Sequence, residues 1–489
     1  MPDLYIDGRW VPGSSGATRD SVNPADGSVV ATVDEADARD AEVAVRAARR
    51  AFDSGPWPRT PVAQRAAALH AIADLLQRDR ESIARTETLD TGKTLVEAQQ
   101  DIDDVTAVFR YYADLAPTQQ PRVVDTGKPE VVSTVVREPI GVCSLIGPWN
   151  YPLLQMSWKL APALAAGCTT IVKPSEVTPL STIELVRLTE EAGVPAGVVN
   201  LVLGSGAAVG PTLTEHEDVD MVSFTGGVAT GRTILRSTAE TVKRTALELG
   251  GKNPHIVFAD VDLETVADQV LTGVFLHAGQ VCSAGTRLIV ERTIADDLVA
   301  RVAERADRIV LGSGLDEASE SGPLVSAIHR DKVEDFVRVG VEEGARLVTG
   351  GHRPSHPALA DGYFYAPTVF DDCNAGMRIV REETFGPILT VERFDTEEEA
   401  VALGNDTEYG LAGAVWTNHE ARGDRVAAAL RHGTVWINDF GYYVPGAEWG
   451  GYKRSGNGRE LGPTGLEEFQ ETKHTWRNTR PQPAGWFEG

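Results

Sequence analysis

GVCSLIGPWNYPLLQMSWKLAPALAAGCTTIVKPSE, residues 141–176, decides the fold. A short apolar run, GVCSLIG, is followed by a helix-length stretch, LLQMSWKLAPALAAG, and then by a second β-branched run, TTIVK. Strand, helix, strand in this order is the signature of a βαβ unit and a parallel sheet. The rhythm continues through VVNLVLG, DMVSFTG and HIVFAD, with PLSTIELVRLTEEAG among the intervening helical stretches. A second α/β region follows residue 260. Its helices are expected over 263–278, 295–310 and 330–343, and its strands at RLIVE, RLVTGG, PTVF and GAVWTN. Upstream, residues 37–55 read as an amphipathic helix with Val43, Val45, Ala47, Ala48 and Ala51 near helical spacing, and 62–93 as one long helix or two, ending at Gly92. VVSTVVREP (131–139) alternates like an unpaired edge strand suited to strand addition between subunits. The tail RNTRPQPAGWFEG reads as irregular.

The bulk properties narrow the classes. The 489 residues, 42% hydrophobic and 24% charged, suit a globular protein of about two to four domains. No run reaches the roughly 18 apolar residues of a membrane span, and the start lacks a signal-peptide pattern, so no membrane partner is expected. The formal net charge of -25 argues against nucleic acid, whose phosphates need a basic patch, and mildly favours a cationic ligand. Four scattered cysteines make neither a disulfide framework nor a zinc ribbon, which points to a reducing cytoplasm.

Chemistry should gather where these strands end. GSGAAVG (204–210) follows a strand and opens a helix, but its GxGxxxG spacing is not the dinucleotide fingerprint. FTGGVATG (224–231) also follows a strand, and Gly226, Gly227 and Gly231 would let a backbone approach an anion before a helix. KPSE (173–176) offers a Lys and a Glu to the hydroxyls of a ribose, or a surface ion pair. Such strand ends suit the ligand crevice of a doubly wound sheet. LELGGKNP (247–254) places Glu248 between leucines, either as a general base of raised pKa or as a buried salt-bridge partner. PWNYP (148–152) holds Asn150 rigidly, as an oxyanion donor or as a helix cap. Cys282, in FLHAGQVCSAGTR (275–287), is by itself more readily a small buried hydrophobe than a nucleophile.

Taken in order, PWNYP, KPSEVTP, FTGG, LELGGK, GQVCSAGTR, EETFGP and WGGYKRSGNGREL resemble the motifs of NAD(P)-dependent aldehyde dehydrogenases, over essentially the whole chain. The resemblance implies an aldehyde dehydrogenase-like α/β fold: a Rossmann-type NAD-binding domain (1–119 and 141–250), an α/β catalytic domain (251–461) and a β oligomerisation or bridging segment (120–140 and 462–489). It implies Cys282 as nucleophile, Glu248 as general base, and Asn150 with the Cys282 N–H as oxyanion hole. Lys173, Ser175 and Glu176 would meet the adenine ribose, and Glu383 and Phe385 the nicotinamide end. Ile146, Gly147, Trp149, Gly206, Gly210, Phe224, Thr225, Gly226, Gly227, Leu249 and Gly250 would line the cofactor crevice. A carboxylate at Glu176 repels a 2′-phosphate, so NAD is expected over NADP.

The nearest likeness is to betaine aldehyde dehydrogenases. It implies a proton relay through Lys159 and Glu460, and a monovalent cation such as K+ at Asp90 and the carbonyls of Val22 and Val177. Tyr151, Trp158, Trp449 and Tyr443 match or supplement an aromatic cage for trimethylammonium, which donates no hydrogen bonds and for which ring faces are natural binders. One cage position carries Leu276, and the loop 438–449 offers Phe440, Tyr442 and Tyr443 as replacements. Betaine aldehyde is therefore the expected substrate. An ω-amino or ω-trimethylammonio aldehyde, such as trimethylaminobutyraldehyde, or a broad range of neutral aldehydes are the alternatives. A CoA-acylating enzyme is disfavoured by Glu248, and an inactive NAD-binding scaffold by the joint presence of Cys282, Glu248 and Asn150. A homodimer or homotetramer follows from the resemblance.

Overall fold

The computed structural model describes residues 3–487. Met1, Pro2, Glu488 and Gly489, the last two at the end of the expected bridging segment, lie outside the described residues. The opening βαβ unit forms as strand Val142–Ile146, helix Pro152–Ala166 and strand Thr169–Lys173, with Val142 opposite Thr169 and Ile146 opposite Lys173 in parallel register. All 15 helical residues are buried, as expected of a largely apolar helix, and its few polar side chains, Lys159 among them, are buried with it. Pro152 starts it where a missing N–H does no harm, and Gly167 ends it at φ 99°.

Around this unit lies an eight-stranded sheet. In spatial order its strands are Gly456–Asn457, Arg244–Glu248, Met221–Thr225, Val142–Ile146, Thr169–Lys173, Val199–Leu201, Leu4–Ile6 and Arg9–Val11. The five central strands are parallel; the outer ones join antiparallel. From Val142–Ile146 the chain builds outward to Val199–Leu201, then returns to the other side with Met221–Thr225. The order therefore reverses between Val142–Ile146 and Met221–Thr225, the position where doubly wound sheets bind ligands. Gly456–Asn457, from the segment expected to be catalytic, pairs with Leu247 and Glu248 of this first sheet.

A second sheet of seven strands runs Arg346–Thr349, Thr368–Asp371, Ile388–Phe394, Arg287–Glu291, Pro254–Val257, Ala412–Trp416 and Thr434–Ile437, parallel except for the first. Arg287, fully buried, pairs with Glu392 across two of these strands at 2.7 Å. Among the described residues no helix is long and apolar enough to cross a membrane.

Several local expectations change. Residues 62–93 form two helices, Val62–Arg78 and Arg80–Thr91, the second closed by Gly92 at φ 84°. In helix Ala38–Asp53, Val43 is 53% exposed, and the buried face is Ala41, Ala44, Val45 and Ala48, which share the i, i+3, i+4, i+7 spacing that Val43 lacks. Val131–Pro139 is no edge: it is the middle of a three-stranded sheet, between Gln470–Asn478 and Arg122–Val124. The long free edge belongs to Gln470–Asn478, a polar segment whose sequence carries no alternation to reveal it. That strand takes Arg477 and Asn478 from the tail expected to be irregular, and residues 479–487 contain no helix or strand.

Candidate active site

A crevice of 690 Å³ opens at the carboxyl ends of the parallel strands, at the reversal point. All but one of the residues expected at the dinucleotide line it, from Ile146 and Gly147 to Glu383 and Phe385, and so do Asn150, Glu248 and Cys282; the exception is Gly231, which is small because its helix packs against the Leu249 side chain. Cβ atoms built on Gly206, Gly210 and Gly227 would meet nothing within 4 Å, so these glycines leave room for something other than protein. Helix Val228–Ala239 starts at Gly227 with no side-chain cap, which leaves its first N–H groups free for an anion. Lys173 is buried and lies 3.5 Å from Glu176. Burial opposes ionisation of Glu176, but the Lys173 ammonium and the N–H groups of Glu176 and Gly206 hold its pKa below the usual value. The two side chains that the sequence offered either to a ribose or to an ion pair do form the ion pair. Ser175 Oγ accepts the N–H of Val177 at 3.2 Å and so shapes this turn. These features fit a dinucleotide.

At the other end of the crevice, Phe385 adopts φ 56°, an unusual conformation for a residue with a side chain. Trp149 meets its ring edge-on at 5.2 Å, and His329 Nε2 lies 2.6 Å from its carbonyl. Burial pushes the pKa of His329 down to about 4, so the neutral ring donates that bond. His329 and Lys332 also line the crevice, and neither stood out in the sequence, since a lone HRDK stretch carries no spacing signal. Glu383 is half-buried, and its Oε1 accepts the N–H of Gly251 at 2.9 Å; desolvation of the carboxyl raises its pKa to about 7.

Cys282 follows a turn in which His277, Ala278 and Gly279 all have positive φ. A Cβ on Gly279 would collide with the Gly386 carbonyl, and one on Gly285 with the His255 ring. These glycines therefore make room for neighbouring protein. Asn253 pins the loop: its Nδ2 donates to the carbonyls of Cys282 (2.9 Å) and Ala284 (3.0 Å), while its Oδ1 accepts the N–H of Ala412 (2.9 Å). Gln280, fully buried, does the same upstream. Both residues escaped sequence reading because amides signal no chemistry without their partners. Burial pushes the Cys282 thiol up to about 12, with Glu383 and Glu248 adding to the shift.

Asn150 Nδ2 donates to the Gln280 carbonyl at 2.8 Å, and the following helix has no side-chain cap, so the capping alternative falls away. Glu248 ends strand Arg244–Glu248, fully buried, with neither oxygen hydrogen-bonded among the described residues; it is no salt-bridge partner. Burial and the Glu460 charge raise its pKa well above the carboxylate range. A Cβ on Gly450 would lie 2.9 Å from Glu248 Oε1, which places that carboxyl against the WGGYK segment. Behind it Lys159 and Glu460 form a fully buried ion pair, and Lys159 Nζ also donates to Thr225 Oγ1 at 2.7 Å.

Trp158, Tyr443 and Trp449 form a corner away from the cofactor crevice. Their ring centroids lie 5.3, 6.0 and 6.3 Å apart, with interplanar angles of 71°, 63° and 66°. The Tyr443 hydroxyl donates to Asp104 Oδ2 at 2.9 Å, a carboxylate the sequence reading had passed over. Phe440 does not replace the missing ring: it stacks on buried His255 at 4.2 Å. Nor does Tyr442, which is 69% exposed. One face of Tyr151 is covered by Lys93 Nζ, 4.0 Å from the ring centroid. Asp90 is buried, accepting bonds from the hydroxyl of Ser21, which precedes Val22 in sequence, and, at 2.9 Å, from the N–H of Leu180, three residues after Val177. Burial raises its pKa to about 7.

Residues 10–475 match the aldehyde dehydrogenase family. The chain is 56% identical over 484 residues to a betaine aldehyde dehydrogenase of Bacillus subtilis, covering 99% of each protein. It is 43% identical over 491 residues to peroxisomal aminoaldehyde dehydrogenase 1 of Pisum sativum, covering 99% of this chain and 97% of the pea protein. A crystal structure of a Staphylococcus aureus betaine aldehyde dehydrogenase in complex with NAD+ superposes with a TM-score of 0.99 at 50% identity, over 100% of this chain and 97% of the other.

Proposed function

The chain belongs to the aldehyde dehydrogenase family, and from that premise we propose that it oxidises betaine aldehyde to glycine betaine with NAD. The observation that carries the substrate is the corner of Trp158, Tyr443 and Trp449, backed by Asp104. Three rings at steep angles to one another wall a trimethylammonium on several sides. Each cation–ring contact is worth about 0.5–2 kcal/mol, and a nearby carboxylate supports the same charge. The likeness to the Bacillus and Staphylococcus enzymes supports the same reading.

In this reading the crevice residues bind and orient the dinucleotide, with Glu176 selecting a free ribose. NAD, when bound, supplies the hydride acceptor. Cys282 Sγ adds to the aldehyde carbon while its proton passes to solvent water, forming the thiohemiacetal anion. Asn150 and the Cys282 N–H face the resulting oxyanion, and one such donor is worth about 3–4 kcal/mol. Loss of hydride leaves a thioester on Cys282. Glu248, once deprotonated, removes a proton from water that attacks the thioester, releasing the acid and restoring the thiol. Lys159 and Glu460, behind Glu248, would carry that proton away. The lone carboxyl of Glu248 in an apolar setting suits this hydrolytic half better than transfer to CoA. The residue ranges 1–119 with 141–250, 251–461, and 120–140 with 462–489 would serve as cofactor, catalytic and bridging parts. The free edge of Gln470–Asn478 supports pairing into a dimer or tetramer.

An ω-amino aldehyde is the second reading. Asp104 favours it, since a primary ammonium can hydrogen-bond a carboxylate and trimethylammonium cannot. Rates of NADH formation with betaine aldehyde, 4-aminobutanal and hexanal, each with NAD and NADP, decide between them. Betaine aldehyde with NAD is expected to give the highest kcat/KM, and acid is expected without CoA. A preference for hexanal would overturn the cationic reading.

A further inference from the structure

The turn that delivers Cys282 is held by a helix far away in sequence. Helix Leu95–Leu115 begins with a capping box, in which Glu97 Oε2 accepts the Thr94 N–H (2.7 Å) and hydroxyl (2.8 Å). A capping box uses one end of the glutamate. Here the other oxygen, Oε1, accepts the N–H of His277 at 2.7 Å, a partner 180 residues along the chain. His277, Ala278 and Gly279 have φ of 47°, 53° and 72°. Left-handed backbone is unfavourable for residues with a Cβ and persists only where the surroundings impose it. The His277 carbonyl is held as well: it accepts the Gln280 N–H at 3.1 Å and Gln280 Nε2 at 3.0 Å. Gln280 in turn receives the amide of Asn150 on its own carbonyl. The His277 ring meets Tyr151 edge-on at 5.5 Å, so the same turn borders the aromatic wall.

We propose that Glu97 is a positioning residue for the nucleophile loop: its carboxylate ties the start of helix Leu95–Leu115 to the left-handed turn at His277 and so sets where Cys282 stands relative to Asn150. This rests on the reading of Cys282 as nucleophile. A carboxylate is required because the Thr94 and His277 N–H groups are both donors. A carboxamide can accept at one end only, and would turn an N–H toward the other.

The test compares Glu97→Gln with Thr94→Ala in the full chain. Thr94→Ala weakens the cap but leaves the Oε1 bond intact. Misplacing reacting groups by an ångström can lower a rate about 100-fold, so Glu97→Gln is expected to lower kcat about 10- to 100-fold. NAD affinity should be unchanged, and the rate of Cys282 alkylation by iodoacetamide should change several-fold. Thr94→Ala should lower Tm yet keep kcat and the alkylation rate. Wild-type kcat and alkylation in Glu97→Gln would overturn the inference. So would parallel losses in both variants. Should Glu97→Gln not accumulate as folded protein, Glu97→Asp keeps the charge but is too short to reach both partners. It is expected to show the same split, and wild-type values there would equally overturn the inference. Cys282→Ala separates the two readings: if it retains turnover, the nucleophile assignment fails; if it is inactive while the Glu97 variants behave as wild type, only the tether fails.

Discussion

Replacing Trp449 by alanine removes one wall of the aromatic corner, and the structure sets the size of the effect. Its ring is 95% withdrawn from solvent, being 5% exposed, and meets Trp158 and Tyr443 at 6.0 and 6.3 Å. Its backbone pairs with Glu460 through bonds of 2.7 and 2.8 Å, which the substitution leaves in place. The comparison that isolates charge is betaine aldehyde against 3,3-dimethylbutanal, in which carbon replaces nitrogen with nearly the same shape. Lost packing affects both substrates alike. Lost cation–ring attraction, about 0.5–2 kcal/mol, affects only the first. At about 1.4 kcal/mol per factor of ten, the ratio of the two kcat/KM values should fall about 2- to 30-fold. Both values come from steady-state NADH formation at saturating NAD. An unchanged ratio, with both substrates falling equally, would refute the cation corner and leave an ordinary apolar tunnel.

Two further outcomes follow from the buried charges. Lys159→Met strands Glu460, whose pKa burial already raises against the pull of Lys159. A carboxyl with a folded pKa above its unfolded value binds an extra proton when folded, so stability is lost as pH rises from the unfolded value toward the folded one. The variant's deficit in unfolding free energy, about 3–5 kcal/mol at most, should therefore be larger at pH 8 than at pH 5; a pH-independent deficit would contradict this. Glu176→Ala removes the negative charge from the ribose turn and should raise kcat/KM with NADP relative to NAD by at least about tenfold, read from paired cofactor titrations. No change in the cofactor ratio would show that selection lies elsewhere.

How much of this was legible in the sequence depended on whether a residue's signal is local. The βαβ rhythm of residues 141–176 is local: β-branched runs, a largely apolar helix and a glycine stop are all carried by the segment itself. So is the chain of strand-end motifs, because parallel strands bring their carboxyl ends to one edge whatever lies between. The middle position of Val131–Pro139 was not legible, since its partner Gln470–Asn478 lies more than 300 residues on and is polar except for Trp476. Asn253, Gln280 and Glu97 went unread for a related reason: each acts through backbone groups of a loop that only folding brings near. The aromatic loop 438–449 was legible as a set but not residue by residue. Phe440 turns to His255 and Tyr442 to solvent, while Tyr443 and Trp449 turn to the corner. The role of Cys282 became readable only through company, because burial by itself pushes its thiol toward inertness.

The most direct test is a single turnover of Glu248→Gln with betaine aldehyde and NAD, followed by mass spectrometry of the Cys282 peptide. With the base removed, hydrolysis stalls. One equivalent of NADH per active site and a betaine acyl group on Cys282 are expected, and Cys282→Ala should give neither. A turnover without acylation of Cys282, or one that survives in Cys282→Ala, would contradict the account.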